Sequence, residues 1–494
     1  MTRSAVCVIG LDLGTSGVKA VLLSSTGTLL AEASVALEVS RPQPLWSEQN
    51  PADWWAATDE AMQRLRDAAG PVHWQQVSAL VVAGQMHGAV LLNDRSEVLR
   101  PAILWNDGRS QAQCAELELL EPATRRITAN RAMAGFTAPK LMWVAQHEPE
   151  IFARVDKVLL PKDWLVWKLT GVMSSDCSDA AGTLWLDVAK RTWSEPMLRA
   201  SGMNISQVPT LREGPDVVGT LFEAWTHAWG LPADVRVAAG AGDNAAGAVG
   251  VGVVRPGEAF LSLGTSGVIF VATDGPQANP ERAVHTFCHA LPNTWHQMAV
   301  MLSASSALSW WCGITGAEPA EVLARLKVGE LREDAPLFLP YLSGERTPHA
   351  DPGSTGSFHG LTHAHSRDDM SYAVIEGVAF AFADGMAALR EAGSRLTSLL
   401  AIGGGSRSDV WLQLMADVLG LPVHRPAGAD VGPALGAARL ALMSLGMARD
   451  DVVTAPAIEK TFTPDAQRSV ALAARAARFR AAYAPLRALS SNKI

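Results

Sequence analysis

Two stretches of the chain place short glycine turns between apolar runs. The first, Gly10 to Gly27, reads GLDLGTSGVKAVLLSSTG, with its turn at Gly14–Gly17. Aliphatic and β-branched residues follow this turn, so the pattern predicts strand, turn and strand. A P-loop or a dinucleotide-binding motif would instead open a helix after its glycines.

The polar residues of this first hairpin suggest phosphate chemistry. Gly14, Thr15 and Ser16 offer hydrogen-bond donors to an anion, and Lys19 adds a positive charge. Asp12 would repel a bare phosphate, but it suits a divalent metal, Mg²⁺, placed between the two. The alternative is a plain hairpin with an isolated aspartate.

Part of the same sequence motif recurs about 250 residues later. LGTSGV stands at Leu13–Val18 and again at Leu263–Val268, with apolar runs on both sides. An internal repeat of this kind predicts two similar domains, each with one glycine turn facing a shared polyphosphate. Gly264 and Thr265 of the second turn would contact the phosphates. Ser262 replaces the aspartate of the first copy, so we expect only the first copy to hold a metal.

Helical spacing appears elsewhere in the chain. Asn50 and Pro51 predict the cap and first position of a helix that ends at Gly70. The apolar run Val300–Trp311 predicts a second helix.

Two further apolar strands end in polar residues. Val77–Ala83 runs into GQMHG, and Val235–Ala241 stops at Asp243 and its neighbours. Ligands bind at the carboxyl ends of strands in open α/β sheets. His87 and Asp243 are therefore candidate site residues, although a core histidine and a helix-capping aspartate are the alternatives.

Composition narrows the class of protein. The 494 residues carry a net charge of −8, which argues against nucleic acid or an acidic membrane as partner. Five cysteines without a CxxC pair indicate reduced thiols and no zinc site. No signal-peptide pattern and no apolar run long enough for a bilayer are present, so we expect a cytoplasmic protein.

Two longer motifs carry a family resemblance. The segments Gly135–Glu150 and Ser357–Gly377, together with the repeated hairpin, resemble the signatures of the FGGY sugar kinases over nearly the whole chain. The resemblance implies an α/β fold of two duplicated ribonuclease-H-like domains, as in actin, hexokinase and the heat-shock-seventy ATPases. ATP would lie in the cleft between residues 1–250, on the sugar and Mg²⁺ side, and residues 251–494, on the adenosine side.

The resemblance also implies roles for particular residues. Asp243 would be the catalytic base and Asp12 its metal-holding partner, with both carboxylates as metal ligands. Phe136 would form an apolar wall beside the sugar. The expected sugar contacts are Met86, His87, Phe136, Asp243 and Asn244. The expected ATP contacts are Gly14, Thr15, Ser16, Lys19, Gly264, Thr265, Gly404 and Ser408.

The QMHG segment is similar to that of the xylulose kinases in this family, which implies phosphorylation of D-xylulose by Mg-ATP. Another ketose or polyol kinase, or an actin- or chaperone-like ATPase that transfers no phosphate to sugar, would share many of these motifs. A homodimer is left open. Segment 105–109 fits either an ordinary tight turn or the cleft lining, segment 174–187 receives no role, and segment 343–349 fits either the cleft or the surface.

Overall fold

Strands and helices alternate along the chain, as in α/β proteins. The structure, a computed structural model, describes residues 6–428 and 432–490. The strands of the first half are β1 (Cys7–Leu13), β2 (Gly17–Ser24), β3 (Leu29–Ala36), β4 (Glu48–Gln49), β5 (Val77–Gly84), β6 (Val90–Leu92), β7 (Ala102–Ile103), β8 (Lys157–Leu159), β9 (Ser174–Asp176), β10 (Leu186–Asp187), β11 (Thr192–Trp193), β12 (Thr210–Arg212), β13 (Val217–Thr220) and β14 (Arg236–Gly242). The helices of that half are α1 (Pro51–Trp74), α2 (Gln111–Leu120), α3 (Thr124–Thr128), α4 (Thr137–His147), α5 (Pro149–Phe152), α6 (Pro161–Thr170), α7 (Cys177–Ala180), α8 (Glu195–Ala200), α9 (Glu223–Trp229) and α10 (Asp243–Val251).

The second half has the same mixed character. Its strands are β15 (Ala259–Leu263), β16 (Gly267–Thr273), β17 (His285–Cys288), β18 (Trp295–Met301), β19 (Leu337–Leu339), β20 (Ser357–His359), β21 (Leu399–Ile402), β22 (Val423–Pro426) and β23 (Ile458–Phe462). Its helices are α11 (Ser305–Thr315), α12 (Pro319–Ala324), α13 (Arg367–Glu391), α14 (Asp409–Leu419), α15 (Gly432–Ser444), α16 (Arg449–Val452) and α17 (Ala466–Ser490). Short 3-10 turns occupy Ala181–Thr183, Ile205–Gln207, Pro280–Arg282 and Gly404–Arg407.

The duplication predicted from the repeat is present in the two large sheets. The first sheet has the order β13-β14-β5-β1-β2-β3, and the second has the order β17-β18-β16-β15-β21-β22-β23. In both sheets the repeated hairpin is antiparallel and its first strand pairs in parallel with a later one, β1 with β5 and β15 with β21. The expected duplicated α/β fold is thus confirmed.

The first long helix follows its sequence signals with one difference. Asn50 accepts a hydrogen bond from Ala52 N at 3.0 Å, and Pro51 opens the helix. Gly70 takes a left-handed conformation (φ 71°), so it breaks the helix as predicted, but a further helical turn continues beyond it to Trp74.

Helices α10 and α15 connect the two halves by crossing at small residues. A Cβ added to Gly436 of α15 would lie 1.8 Å from the carbonyl oxygen of Ala246 in α10. Helix α15 also lies on the first sheet, since a Cβ at Gly10 would meet Ala434 O at 2.0 Å. A helix from the second half therefore covers a sheet of the first half, and the boundary at 250/251 stays a prediction.

Among the helices that the structure describes, one is long and apolar enough to cross a membrane. This is α13, Arg367–Glu391, and 89% of its apolar window is buried inside the protein. Its buried residues belong to the largest apolar cluster of the second half, together with residues of β15, β16 and α14. It is the central core helix of that half.

Candidate active site

The two predicted carboxylates lie at the same edge of the first sheet. Strands β1, β5 and β14 run side by side, with Leu13 opposite Gly84 and Gly84 opposite Gly242. Asp12 precedes this row and Asp243 follows it. With strands about 4.8 Å apart, the two backbone positions are separated by about 10 Å across the sheet.

The side chain of Asp12 is electrostatically coupled to that of Asp243. The pKa of Asp12 is raised to about 7, first by burial and then by the charge of Asp243, against the opposing charge of Lys19. The two carboxylates are therefore close enough for their charges to interact, and their joint role in one site stays a prediction.

Asp243 stands at the first position of α10, directly after β14. Asn244 donates to Asp243 Oδ1 from its backbone nitrogen at 2.6 Å and from Nδ2 at 2.9 Å. Burial raises the pKa of Asp243 to about 6, and these two hydrogen bonds oppose the rise. Both bonds use one oxygen of the carboxylate and fix its orientation.

Asp12 has a feature that a cation would satisfy. Its Oδ1 is shielded from water and has no hydrogen-bond partner, and an unpaired buried carboxylate oxygen is costly. Among the described residues no three His, Cys, Asp or Glu side chains form a ligand cluster. One or two carboxylates are what Mg²⁺ takes from a protein when phosphates and water complete its shell, so the residues present fit Mg²⁺.

His87 lies at the end of β5 in a defined tautomer. Its Nδ1 is 2.6 Å from the carbonyl oxygen of Gly182, so Nδ1 carries the hydrogen and donates. Burial lowers the pKa of His87 to about 3, which keeps the ring neutral. The other nitrogen, Nε2, is then a hydrogen-bond acceptor. A buried neutral histidine bonded to a backbone carbonyl fits a core histidine as well as a ligand contact, so the sugar-binding role of His87 stays a prediction.

Three residues missed by the sequence reasoning hold His87 in place. Its backbone is left-handed, with φ 69°, and its carbonyl oxygen accepts from Thr137 Oγ1 at 3.0 Å and from Lys140 Nζ at 2.9 Å. A Cβ at Gly182 would lie 2.6 Å from His87 Nδ1 and 3.0 Å from Met86 Cε. Gly182 therefore gives segment 174–187 a place in the wall of the site.

Phe136 belongs to an aromatic cluster around His87. The ring centroids of His87 and Phe136 are 4.7 Å apart, and those of Phe136 and Phe287 are 6.0 Å apart. His285 stacks on Phe287 at 5.4 Å. Since Phe287 and His285 come from β17, the second half contributes to this wall.

A buried ion cluster supports the end of β14. Lys162 forms an ion pair with Asp163, and its Nζ lies 2.9 Å from Asp176 Oδ1. Ser178, which donates to Asp176, accepts a hydrogen bond from Gly242 N at 3.1 Å. This is a second role for segment 174–187: it anchors the residue before Asp243.

The turn of the first hairpin is closed by hydrogen bonds within the protein. Thr15 Oγ1 donates to Gln85 Oε1 at 2.8 Å and accepts from Trp105 Nε1 at 2.9 Å, so its hydroxyl hydrogen is engaged within the protein. Gly14 N donates to the carbonyl oxygen of Gly17 at 3.0 Å. Both donors thus close the turn in this structure, and phosphate contacts from Gly14 and Thr15 stay predictions.

The other predicted residues of this hairpin remain open. Ser16 is exposed at the tip of the turn. Lys19 forms an ion pair with Glu32 at 3.1 Å while its charge also acts on Asp12. Phosphate contacts from Ser16 and Lys19 stay predictions.

The second hairpin opens onto a cavity of about 820 Å³. Four predicted ATP contacts line it together: Gly264, Thr265, Gly404 and Ser408. A Cβ at Gly404 would meet nothing within 4 Å, so bare backbone faces the cavity there. Ser408 Oγ accepts from Trp411 N at 3.2 Å and caps α14. The cavity has the volume of a small-molecule site.

The opposite wall of this cavity is apolar. Leu308 of α11 and Leu323 of α12 line it, with Pro319 at the start of α12. All of the lining residues come from the second half of the chain. A flat, partly apolar group suits this space.

Comparisons with known proteins find similarity over nearly the whole chain. Residues 7–250 match the N-terminal domain of the FGGY family of carbohydrate kinases, and residues 259–445 match its C-terminal domain. The xylulose kinase of Escherichia coli (strain K12) is 52% identical over 97% of this chain and 99% of its own length. The xylulose kinase of Klebsiella pneumoniae is 48% identical over 98% of this chain and 100% of its own.

A solved structure has the same fold over the same length. The crystal structure of a "xyloylose kinase" from Brucella ovis superposes with a TM-score of 0.95 at 49% identity. It covers 98% of this chain and 100% of that chain.

Proposed function

This chain belongs to the FGGY family of carbohydrate kinases, and from that premise we propose that it transfers the γ-phosphoryl group of ATP to D-xylulose. The products are D-xylulose 5-phosphate and ADP. The observation that carries the chemistry is the pair Asp12 and Asp243 in one site beside the neutral His87. The two bacterial relatives named xylulose kinases support the choice of sugar.

Asp243 is the general base of the proposed reaction. The 5-hydroxyl oxygen of the sugar attacks the γ-phosphorus, the bond to the bridging oxygen of ADP breaks, and Asp243 takes the hydroxyl proton. With a pKa of about 6, most of Asp243 is ionised at neutral pH, as a base requires. Asn244 holds Oδ1, which leaves Oδ2 to face the hydroxyl.

Asp12 holds Mg²⁺ in this proposal, with Asp243 as the second carboxylate nearby. Bound Mg²⁺ supplies positive charge against the β- and γ-phosphates. The bare Oδ1 of Asp12 supports this assignment.

The cavity of the second half takes the adenosine of ATP. Gly404 lets the nucleoside approach bare backbone, and Gly264 and Thr265 lie on the way to the phosphates. On the other side, His87 Nε2 accepts a hydrogen bond from a sugar hydroxyl, while Met86 and Phe136 pack on the sugar carbons. The cytoplasmic location and a homodimer stay predictions.

A panel of acceptors tests the proposal. The purified protein is assayed with Mg-ATP and D-xylulose, L-ribulose or glycerol, with ADP release and the phosphorylated product followed separately. We expect the highest kcat/KM for D-xylulose, and at least about 100-fold less product per unit time from an Asp243→Asn control. A preference for L-ribulose or glycerol would contradict the sugar assignment. ATP turnover without a sugar phosphate would indicate the ATPase alternative.

A further inference from the structure

One arginine of the second half, Arg346, reaches the proposed sugar site without a salt bridge among the described residues, although the charge of the adjacent Glu345 acts on it. Its Nη1 donates to His285 Nε2 at 3.2 Å, and no salt bridge joins it to any described residue. Burial is the main cause that lowers the pKa of His87 and that of His285, and the charge of Arg346 adds to it. The ring centroid of His285 lies 5.6 Å from that of Phe136, in the same aromatic cluster as His87. The guanidinium therefore lies near the ring that we assign to the sugar.

The loop that carries Arg346 is fixed to the second sheet. Thr347 N donates to Val300 O at 3.0 Å, and Val300 N donates to Thr347 Oγ1 at 3.0 Å. Glu345 Oε1 accepts from Leu302 N at 2.9 Å. These bonds to β18 and the residue after it place Arg346 on a rigid support, as a ligand-positioning side chain requires.

His285 orients the guanidinium. Because an arginine only donates, His285 Nε2 must accept, and its Nδ1–H then points to Asn130 Oδ1 at 3.3 Å. Asn130 belongs to the first half of the chain, and it also donates to Thr286 O at 2.8 Å. The position of Arg346 is thus tied to both halves.

Most of the hydrogen-bonding capacity of Arg346 is unused. A guanidinium has five N–H donors, and one nitrogen bonds His285. The nitrogens without a protein partner remain accessible to water. A partly buried cation with unused donors and no salt bridge is suited to an oxygen atom of a ligand.

Contacts along the wall of the site indicate which end of the ligand Arg346 meets. Gly242, the residue before Asp243, lies beside Met86, since a Cβ at Gly242 would be 2.9 Å from Met86 Cγ. Arg346 instead bonds His285, whose ring centroid lies 5.6 Å from that of Phe136. Arg346 therefore lies at the aromatic end of the wall, away from the reacting end. A ketose with its 5-hydroxyl at Asp243 presents its carbonyl at the opposite end.

We propose that Arg346 is a specificity-determining residue that donates a hydrogen bond to the carbonyl oxygen at C2 of the acceptor sugar. This inference rests on the proposed function, since it assumes a ketose phosphorylated at the far hydroxyl. It gives the second half of the chain a role in choosing the sugar, in addition to its nucleotide cavity.

The test removes the two proposed partners separately and together. Arg346→Met is compared with the wild type on D-xylulose and on 2-deoxy-D-threo-pentitol, which lacks the C2 oxygen. On D-xylulose we expect kcat/KM to fall about 10- to 150-fold, as for the loss of one hydrogen bond to a charged group, chiefly through KM. On the deoxy acceptor the two proteins should agree within about threefold, because the interaction is already absent.

Three controls separate this role from a structural one. 1-Deoxy-D-xylulose keeps the C2 oxygen, so Arg346→Met should lower kcat/KM for 1-deoxy-D-xylulose by about the same factor as for D-xylulose. Arg346→Lys keeps the charge and should recover part of the loss. Arg325→Met removes an exposed arginine paired with Asp368 in the same half, and it should leave all kinetic constants unchanged.

Each other outcome overturns the inference. Equal losses on both acceptors, or a raised KM for ATP, would assign Arg346 to the fold or the nucleotide, and melting curves would report a folding defect directly. Unchanged kinetics on D-xylulose would remove Arg346 from the site. If the wild type phosphorylates no ketose, the proposed function and this inference both fail. If the wild type is active on D-xylulose but Arg346→Met loses the same factor on both acceptors, the inference alone fails.

Discussion

At the scale of single residues, two aspartates with similarly raised pKa values have different surroundings. Asp243 is held by two hydrogen bonds from Asn244, which fit a base that must point in one direction. Asp12 has a bare oxygen beside a positive charge from Lys19, which fits a metal ligand. The local contacts, more than the residue type, separate the two roles.

Replacing the base tests its role directly. Asp243→Asn keeps the shape of the side chain and removes its ability to take a proton, so we expect kcat to fall by about 10²- to 10⁴-fold. ATP affinity, measured by calorimetry, should be retained because the nucleotide cavity lies in the second half. A variant with ordinary turnover would exclude Asp243 as the base.

The metal role of Asp12 has its own measurement. Asp12→Asn removes the charge opposite the expected Mg²⁺, so the Mg²⁺ concentration needed for half-maximal turnover should rise at least about tenfold. Titrating Mg²⁺ at fixed ATP checks this. Matching curves for variant and wild type would show that Asp12 holds no metal.

The sequence pattern marked candidate site residues at the ends of apolar strands. It did not mark the residues that contact those candidates in the folded chain. Asp12, Asp243 and His87 interrupt or end apolar runs, so a local pattern marks them. Gly182 contacts His87 from 95 positions away, and Arg346 meets His285 across 61 positions. No local periodicity marks such contacts, because only the folded chain brings these residues together.

At the scale of elements, the hairpins were predicted well and one helix was placed wrongly. The segment Val300–Trp311 was expected to be a helix, yet Val300 and Met301 complete β18, and α11 begins at Ser305. Met301 pairs with Gly267 of the repeated hairpin. A short apolar run satisfies both periodicities, and pairing with the distant strand decides between them.

The crossing of α10 and α15 offers a matched pair of glycine substitutions. Gly436→Ala puts a methyl group 1.8 Å from Ala246 O, a backbone atom that cannot move aside cheaply, so we expect a loss of about 3 kcal/mol or more. Gly313→Ala, in α11, meets nothing within 4 Å and should be neutral or stabilising by up to about 1 kcal/mol. Melting temperatures of the two variants compare them; equal values would mean that the crossing is not tightly packed.

At the scale of the whole molecule, the two halves are joined by specific polar contacts as well as by helices. Asn130 bonds the backbone of Thr286 twice: its Nδ2 donates to Thr286 O at 2.8 Å, and its Oδ1 accepts from Thr286 N at 3.2 Å. Arg191 of the first half donates to Thr294 O at 2.8 Å. These contacts lie beside the aromatic wall, so the relative position of the halves sets the shape of the sugar site.

Buried histidines at this junction predict how stability depends on pH. Burial lowers the pKa of His289 to about 4, while the unfolded residue binds a proton below about 6.5. As the pH falls, the unfolded state therefore binds a proton before the folded state does. The stabilisation from the buried neutral His289 is complete above about pH 6.5 and is lost as the pH falls toward 4. Each such histidine contributes a slope of about 1.4 kcal/mol per pH unit in that window.

A substitution measures this slope. His289→Gln should make the free energy of unfolding, from urea titrations between pH 6 and 4.5, less dependent on pH by about 1.4 kcal/mol per unit. His227→Gln is the control, since His227 is exposed, and it should leave the slope as in the wild type. A wild-type slope in the His289 variant would contradict the assignment.

The packing of α15 on the first sheet has a consequence for biosynthesis. Strand β1 is made at residues 7–13, but the helix that lies on it is made only at residues 432–444. On the ribosome, the nascent chain must therefore carry an apolar sheet face without its cover for most of translation. Products that stop before that helix keep this face exposed, which makes them substrates for chaperones and proteases.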